Sequence, residues 1–276
     1  HITSCGDTVL GADDFAGVSA ILEGVASLLE SGATHPTLEL LFTTGEEHFC
    51  VGAKAFDAER LQSKTAYVMD LSGPVGDCAV AAPTLITFSA EVVGKAAHAG
   101  FAPEDGVHAI QVAAAAVANL PSGRWGDVTV NVGTISGGRA TNIVPDSCTV
   151  TGEIRALCHQ DALDRLNEIH SEFVEQAQAV DAKLNFNHTI HITGYRVDTD
   201  APVAQRFRRA CEAVGVSPRF TDTYGGSDCN ILSAHGIQGL VVATAMNNCH
   251  AVSEYTTVEE LCKAGRLAQA LMEKQD

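Results

Sequence analysis

The apolar positions of this chain follow two periods, and the switches between them mark out its organisation. From Asp14 to Leu29 the residues Phe15, Val18, Leu22, Val25 and Leu29 recur at helical spacing. Gly11-Ala12-Asp13 stands before them, so acidic residues occupy a helix start where the macrodipole favours negative charge. The run Leu38-Glu-Leu-Leu-Phe42 reads as a short strand, a helix is expected around 51–56, and Ala66-Tyr-Val-Met-Asp70 reads as the next strand. Such alternation predicts an α/β sheet with buried, mostly parallel strands.

The period changes near Ala81. Residues 84–93 alternate through Ile86, Phe88, Ala90 and Val92, which predicts a half-exposed antiparallel strand. A helix over 106–120, strands over 128–135 and 147–156, a helix over about 160–180 and a strand over 183–193 follow. The order βαββαβ suits a small sheet with helices on one face. After Tyr195 the first style returns, with a helix over 203–214, a Gly225-Gly226-Ser227-Asp228 turn and a strand over 239–244. The closing helix, 258–272, is capped by Thr257 with Glu260 three residues on. The expected fold is therefore one α/β domain with a mostly parallel sheet, 1–81 and 196–276, interrupted by an inserted α+β domain, 82–195.

Composition narrows the function classes. The 276 residues, 46% of them apolar, allow a large core and one or two domains. No apolar run approaches the roughly eighteen residues of a membrane-spanning helix. A net charge of −17 argues against nucleic acid or an anionic membrane as partner. The nine cysteines are scattered without a CxxC pair, which fits reduced thiols in a cytoplasmic protein, most of them buried as small apolar residues.

The candidate chemistry lies at strand ends and helix starts, where α/β proteins gather their sites. Glu46 and Glu47 follow the Thr43-Thr44-Gly45 turn, Asp13 and Asp14 open a helix, Asp70 ends a strand, and His250 lies near the C-terminus. Carboxylates plus imidazole, hard oxygen with borderline nitrogen, describe a divalent-metal centre. Glu46 and Glu47, being adjacent, point different ways, so one can ligate while the other stays free to accept a proton. The bland alternative is an acidic pair on an exposed helix start.

Longer motifs sharpen this. They are Leu10-Gly-Ala-Asp13-Asp14-Phe-Ala-Gly17, Thr44-Gly-Glu46-Glu47, Met69-Asp70, Gly94-Lys-Ala-Ala-His98-Ala-Gly100 and Pro103-Glu-Asp-Gly106. They continue with Gly137-Gly138, Asn142-Ile-Val-Pro145, Gly152-Glu-Ile-Arg155, Gly225-Gly-Ser-Asp228 and Asn248-Cys-His250 to Glu254. In order and spacing, across essentially the whole chain, these resemble the co-catalytic zinc peptidases that include peptidase T. The resemblance implies a two-metal catalytic domain and an inserted lid domain that dimerises. It implies Asp13 as the carboxylate bridging two divalent ions, zinc by family, with an Asp13–Asp14 peptide that is cis. Glu47 and His250 would complete one metal site, Asp70 would serve the second, and Glu46 would be the general base. His98 would support the developing oxyanion in the partner subunit, and Asn142 and Arg155 would bind the substrate carboxylate, for which arginine offers a planar fork. The ordinary roles of those two are loop capping and a surface ion pair. Ser227 and Asp228 would line the pocket, and no other histidine, His48 included, is expected to be a ligand.

Two departures qualify the picture. Phe15 stands where these proteins usually carry lysine, so contacts around the bridge are expected to differ. The family's first zinc motif, His-x-Asp, should precede this chain. His1 is not that histidine, because Thr3-Ser-Cys-Gly6 matches the segment after the motif. The expectation is a metal-dependent exopeptidase of short peptides, with this chain a fragment holding one intact metal site, a weakened second one and little activity. The alternatives are an N-acyl amino-acid deacylase or carboxypeptidase of the same family, or a non-catalytic dimerising protein with a vestigial metal site.

Overall fold

The computed structural model, which describes residues 1–274, follows the two apolar periods. In chain order the first stretch holds β1 (Ile2–Thr3), α1 (Ala12–Ser31), α2 (Val51–Ala55), β2 (Thr65–Ser72) and β3 (Asp77–Ala82). The middle stretch holds β4 (Thr84–Val93), α3 (Ala109–Asn119), β5 (Gly123–Trp125), β6 (Val128–Gly137), β7 (Ser147–Ala156), α4 (His159–Gln178) and β8 (Lys183–Ile192). The last holds β9 (Tyr195–Arg196), α5 (Pro202–Ala213), β10 (Arg219–Asp222), α6 (Asp228–Ala234), β11 (Gln238–Met246), β12 (Tyr255–Thr256) and α7 (Val258–Met272). These elements form two compact units, His1–Ala82 with Tyr195–Asp276, and Pro83–Gly194.

The first unit is built on a sheet of order β10-β3-β11-β2, with β9 added beside β3. β10 runs parallel to β3, and β2 parallel to β11, while β3 and β11 are antiparallel. β3 and most of β11 are buried, and Phe207, Leu240 and Leu267 lie in the same core. Helix α1 lies against α7 at a crossing of small residues, where a Cβ on Gly24 would come within 2.9 Å of the Ala268 methyl. Gly17, one turn into α1, has no room for a side chain because the Met69 carbonyl of β2 occupies that space. Small residues thus let α1 lie close enough to β2 for its acidic first turn to reach the end of that strand.

The run Leu38–Phe42, expected as a strand, is not one. It is an unpaired segment with Leu40 and Phe42 at 47% and 49% exposure. A strand needs a ladder partner, and among the described residues β2 pairs only with β11. The apolar pattern alone does not supply that partner.

The second unit is an antiparallel sheet of order β5-β6-β7-β4-β8. Ile86, Phe88, Ala90 and Val92 of β4 pack in one core with Ala113 and Ala116 of α3 and with Ile169 and Phe173 of α4. Gly152, opposite Phe88 across the ladder, has no Cβ because the Phe88 ring fills its place. Among the described residues no helix is long and apolar enough to cross a membrane.

Candidate metal centre

Three side chains from distant parts of the first unit converge. His250 Nε2 lies 2.9 Å from Asp13 Oδ2 and 3.0 Å from Glu47 Oε1. One donor atom from each residue lies within 4.8 Å of the others, close enough to share a cation. Two carboxylates and an imidazole form a donor set of the kind that borderline divalent ions accept.

Local backbone explains how each arrives. Gly11 (φ 81°) turns the chain into α1, and the Asp13–Asp14 peptide is cis. Glu46 and Glu47 sit in a single 3₁₀ turn that begins at Gly45 (φ 68°). After β11, Asn248 (φ 54°) and His250 (φ 65°) adopt the left-handed region, which turns the chain back toward Asp13. Non-glycine residues take that conformation at a cost and cluster where function sets the geometry.

The surroundings are acidic and partly dry. Burial, opposed by a hydrogen bond from the Gly17 N–H and reinforced by the Asp13 charge, raises Asp14 to about 8. Burial and the charges of Asp14 and Glu46 raise Asp70 to about 9. Burial and the adjacent Glu47 raise Glu46 to about 7. The Glu47 charge and a hydrogen bond to Asp13 move His250 upward. Carboxylates crowded against one another in a dry pocket are the arrangement that a bound cation relieves. The residues present therefore fit a divalent ion.

Sequence reasoning missed one residue of this centre. Glu254 is 1% exposed, and both of its oxygens are used, accepting from Gly11 N–H at 2.7 Å and Asp13 N–H at 2.9 Å. A buried carboxylate bonded to the backbone of a ligand fixes where that ligand points. Its signal was its place at the end of the Asn248–Glu254 motif, to which no role was given. Glu254→Gln, which leaves one acceptor oxygen in place of two, should weaken metal affinity by about ten- to a hundredfold. Titration calorimetry with zinc checks this; unchanged affinity would remove Glu254 from the centre.

Of the other predicted site residues, Asp228 is near enough for its charge to act on Asp14, Glu46 and Asp70. Asp228 opens α6 and accepts a hydrogen bond from the Thr43 hydroxyl. Ser227 is buried at 4% and caps α6, its hydroxyl accepting from Cys229 N–H. His98, Asn142 and Arg155 belong to the second unit. His98 is exposed, its Nδ1 accepts from Gly100 N–H at 3.1 Å, and its ring lies against Phe101. The Asn142 carbonyl accepts from Ala99 N–H while its side chain is exposed, and Arg155 pairs with Glu153 at 2.9 Å. Phe15 is 72% exposed.

The larger of the two units thus gathers a carboxylate–imidazole cluster from a helix start, a 3₁₀ turn and the segment after β11. Residues 80–181 match the family model of the peptidase dimerisation domain, and residues 1–83 match that of peptidase family M28. YqjE of Bacillus subtilis is 32% identical over 275 residues, covering 99% of this chain and 74% of that protein. Peptidase T of Alkaliphilus oremlandii is 27% identical, covering 99% and 67%. Aminopeptidase PepT of Bacillus cereus superposes with a TM-score of 0.93 at 37% identity, over 98% of this chain and 73% of that one. A tripeptidase of Staphylococcus aureus superposes at 0.94 and 29% identity, over 98% and 72%. The chain belongs to the peptidase T-like M20/M28 peptidase family.

Proposed function

We propose that this chain carries the catalytic centre of a metal-dependent exopeptidase that removes residues from short peptides, as an aminopeptidase of the peptidase T type. The observation that carries the proposal is the convergence of Asp13, Glu47 and His250 on one point, with Glu46 beside them and not among the paired atoms. In this reading Asp13, Glu47 and His250 would hold one divalent ion, zinc by kinship, and Asp70 would serve a second. A bound divalent ion makes water a nucleophile near neutral pH and polarises the scissile carbonyl.

The chain's own residues do the rest. Glu46 takes a proton from the attacking water and returns it to the leaving amine. Its carboxylate lies outside the paired atoms of Asp13, Glu47 and His250, so its oxygens stay available for that proton. Glu254 accepts from the Asp13 N–H, which would keep the Asp13 carboxylate aimed at the metal it holds. Asn142 and Arg155 would hold the peptide's carboxylate, Arg155 exchanging its Glu153 partner for substrate, and His98 would support the oxyanion across a homodimer formed by the second unit. The cell compartment proposed is the cytoplasm, where the nine free thiols stay reduced.

The test measures zinc per chain by elemental analysis after dialysis against metal-free buffer and zinc restoration, alongside hydrolysis of tripeptides with free or acylated N-termini. The expected result is bound zinc and a requirement for the free N-terminus. Zinc with a requirement for acylated substrates would replace the aminopeptidase reading by a deacylase. No bound zinc and no hydrolysis would overturn the catalytic reading.

A further inference from the structure

One buried side chain beside the centre is left unused by this chemistry. Cys50 is 2% exposed, and its Sγ lies 3.8 Å from Glu46 Oε1, within reach of a thiol hydrogen bond. Phe49 (φ 61°) and Cys50 (φ 58°) are consecutive non-glycine residues in the left-handed region. The Cys50 N–H donates to the Glu46 carbonyl at 2.8 Å, so the backbone folds back on the residue whose carboxylate the thiol meets. Burial, with the charges of Glu46 and Asp228 nearby, pushes the thiol upward, so it remains protonated and able to donate. The Asp228 carboxylate is a second acceptor for this thiol, and its Oδ2 also accepts from the Thr43 hydroxyl.

We propose that Cys50 is a positioning residue for the reaction, its S–H donating to the Glu46 carboxylate and holding that base turned away from the Asp13, Glu47 and His250 ligand set. Two adjacent glutamates beside one cation compete for it, and a carboxylate drawn onto the ion no longer serves as a base. The thiol is suited to this task. It is a weak donor, so it orients the carboxylate without taking over the lone pair that must accept the proton. Glu46 Oε1, 3.8 Å from the sulfur, and the Asp228 carboxylate are both acceptors for the thiol, and of the two Glu46 is the one adjacent to Glu47 in the turn that faces His250.

This inference rests on Glu46 being the base, and its test separates the two. In the zinc-loaded enzyme, Cys50→Ala should lower kcat about three- to tenfold, the scale of one lost weak hydrogen bond, with KM and zinc content unchanged. Cys50→Ser, which restores a donor, should recover at least half of the loss. A second readout needs no turnover: the infrared S–H stretch that disappears in Cys50→Ala should move to higher wavenumber in Glu46→Gln, because a neutral amide is a weaker acceptor than a carboxylate. If Cys50→Ala keeps full kcat, or Cys50→Ser is as impaired as Cys50→Ala, or the S–H band does not move, the positioning role is overturned. Should Cys50→Ala fail to fold, Cys50→Ser supplies the wild-type-minus-variant difference band, and the shift in Glu46→Gln still decides. An active Glu46→Gln enzyme would instead remove the base assignment, and the band shift would still report the contact.

Discussion

Glu46→Gln is expected to lower kcat by about 10²- to 10⁴-fold while the enzyme keeps its zinc. The amide matches the carboxylate in shape, so neither packing nor the acceptor facing Cys50 is lost, but it cannot take a proton from water. The two glutamates of the 3₁₀ turn separate the functions: Glu47 Oε1 faces His250 at 3.0 Å, while Glu46 Oε1 faces the thiol. The companion change Glu47→Gln should therefore reduce zinc affinity first, with activity falling in proportion to metal lost. Steady-state kinetics with elemental analysis on both variants reads the contrast. Residual kcat above about a tenth of the parent value in Glu46→Gln would show that another group moves the proton, since general base catalysis is worth more than that.

The metal-free protein should become less stable as pH rises from 5 to 8, and zinc should remove most of that dependence. Asp14, Asp70 and Glu46 are raised in the fold to about 8, 9 and 7, above the ordinary carboxylate range. A group whose folded value is raised binds more protons folded than unfolded, so its stability contribution is full below the unfolded value. It is lost as pH climbs from about 4 toward those folded values. His250, also raised, adds a loss of the same sign as pH passes upward through its ordinary value. The lowered carboxyls of Glu39 and Glu259 change stability only as pH falls toward acid, so they leave this window flat. A difference of only ~2 kcal/mol would move the thermal midpoint by about 4–8 °C in a chain of this size. Zinc takes the place of those protons, so its binding at pH 7 should release them, and its stabilisation should be larger at pH 8 than at pH 5. Calorimetry in buffers of different ionisation enthalpy counts the protons, and thermal scans at both pH values read the stability. A metal-free protein equally stable at pH 5 and 8 would contradict the crowded, dry arrangement of these carboxylates.

Much of this protein is legible without coordinates because its periods are strong. The helix over 258–272 and the strands over 84–93 and 147–156 lie where the alternation and the Thr257 cap put them, since each is a local pattern with one face to bury. β3 escaped because Asp77-Cys-Ala-Val-Ala-Ala82 is buried along its whole length and so shows no alternation. α6 escaped because seven residues are too few to display a helical period. The run 38–42 erred in the other direction, since an apolar pattern without a ladder partner does not make a strand.

The sequence by itself determined the residue types of the centre. Asp13, Glu47 and His250 are hard and borderline donors of the kind a divalent ion accepts. Only the tertiary structure decided their spatial use. It alone brings His250 within hydrogen-bond distance of an aspartate 237 positions away, and turns buried Glu254 onto the Asp13 backbone. It also spends Ser227 on a helix cap, and places the Cys50 thiol against Glu46. The reason is physical: ligand chemistry is a property of single side chains, whereas convergence depends on how closely helices and strands pack. Here that closeness is set by small residues such as Gly17 and Gly24, whose role appears only when the neighbouring backbone and side chains are in place.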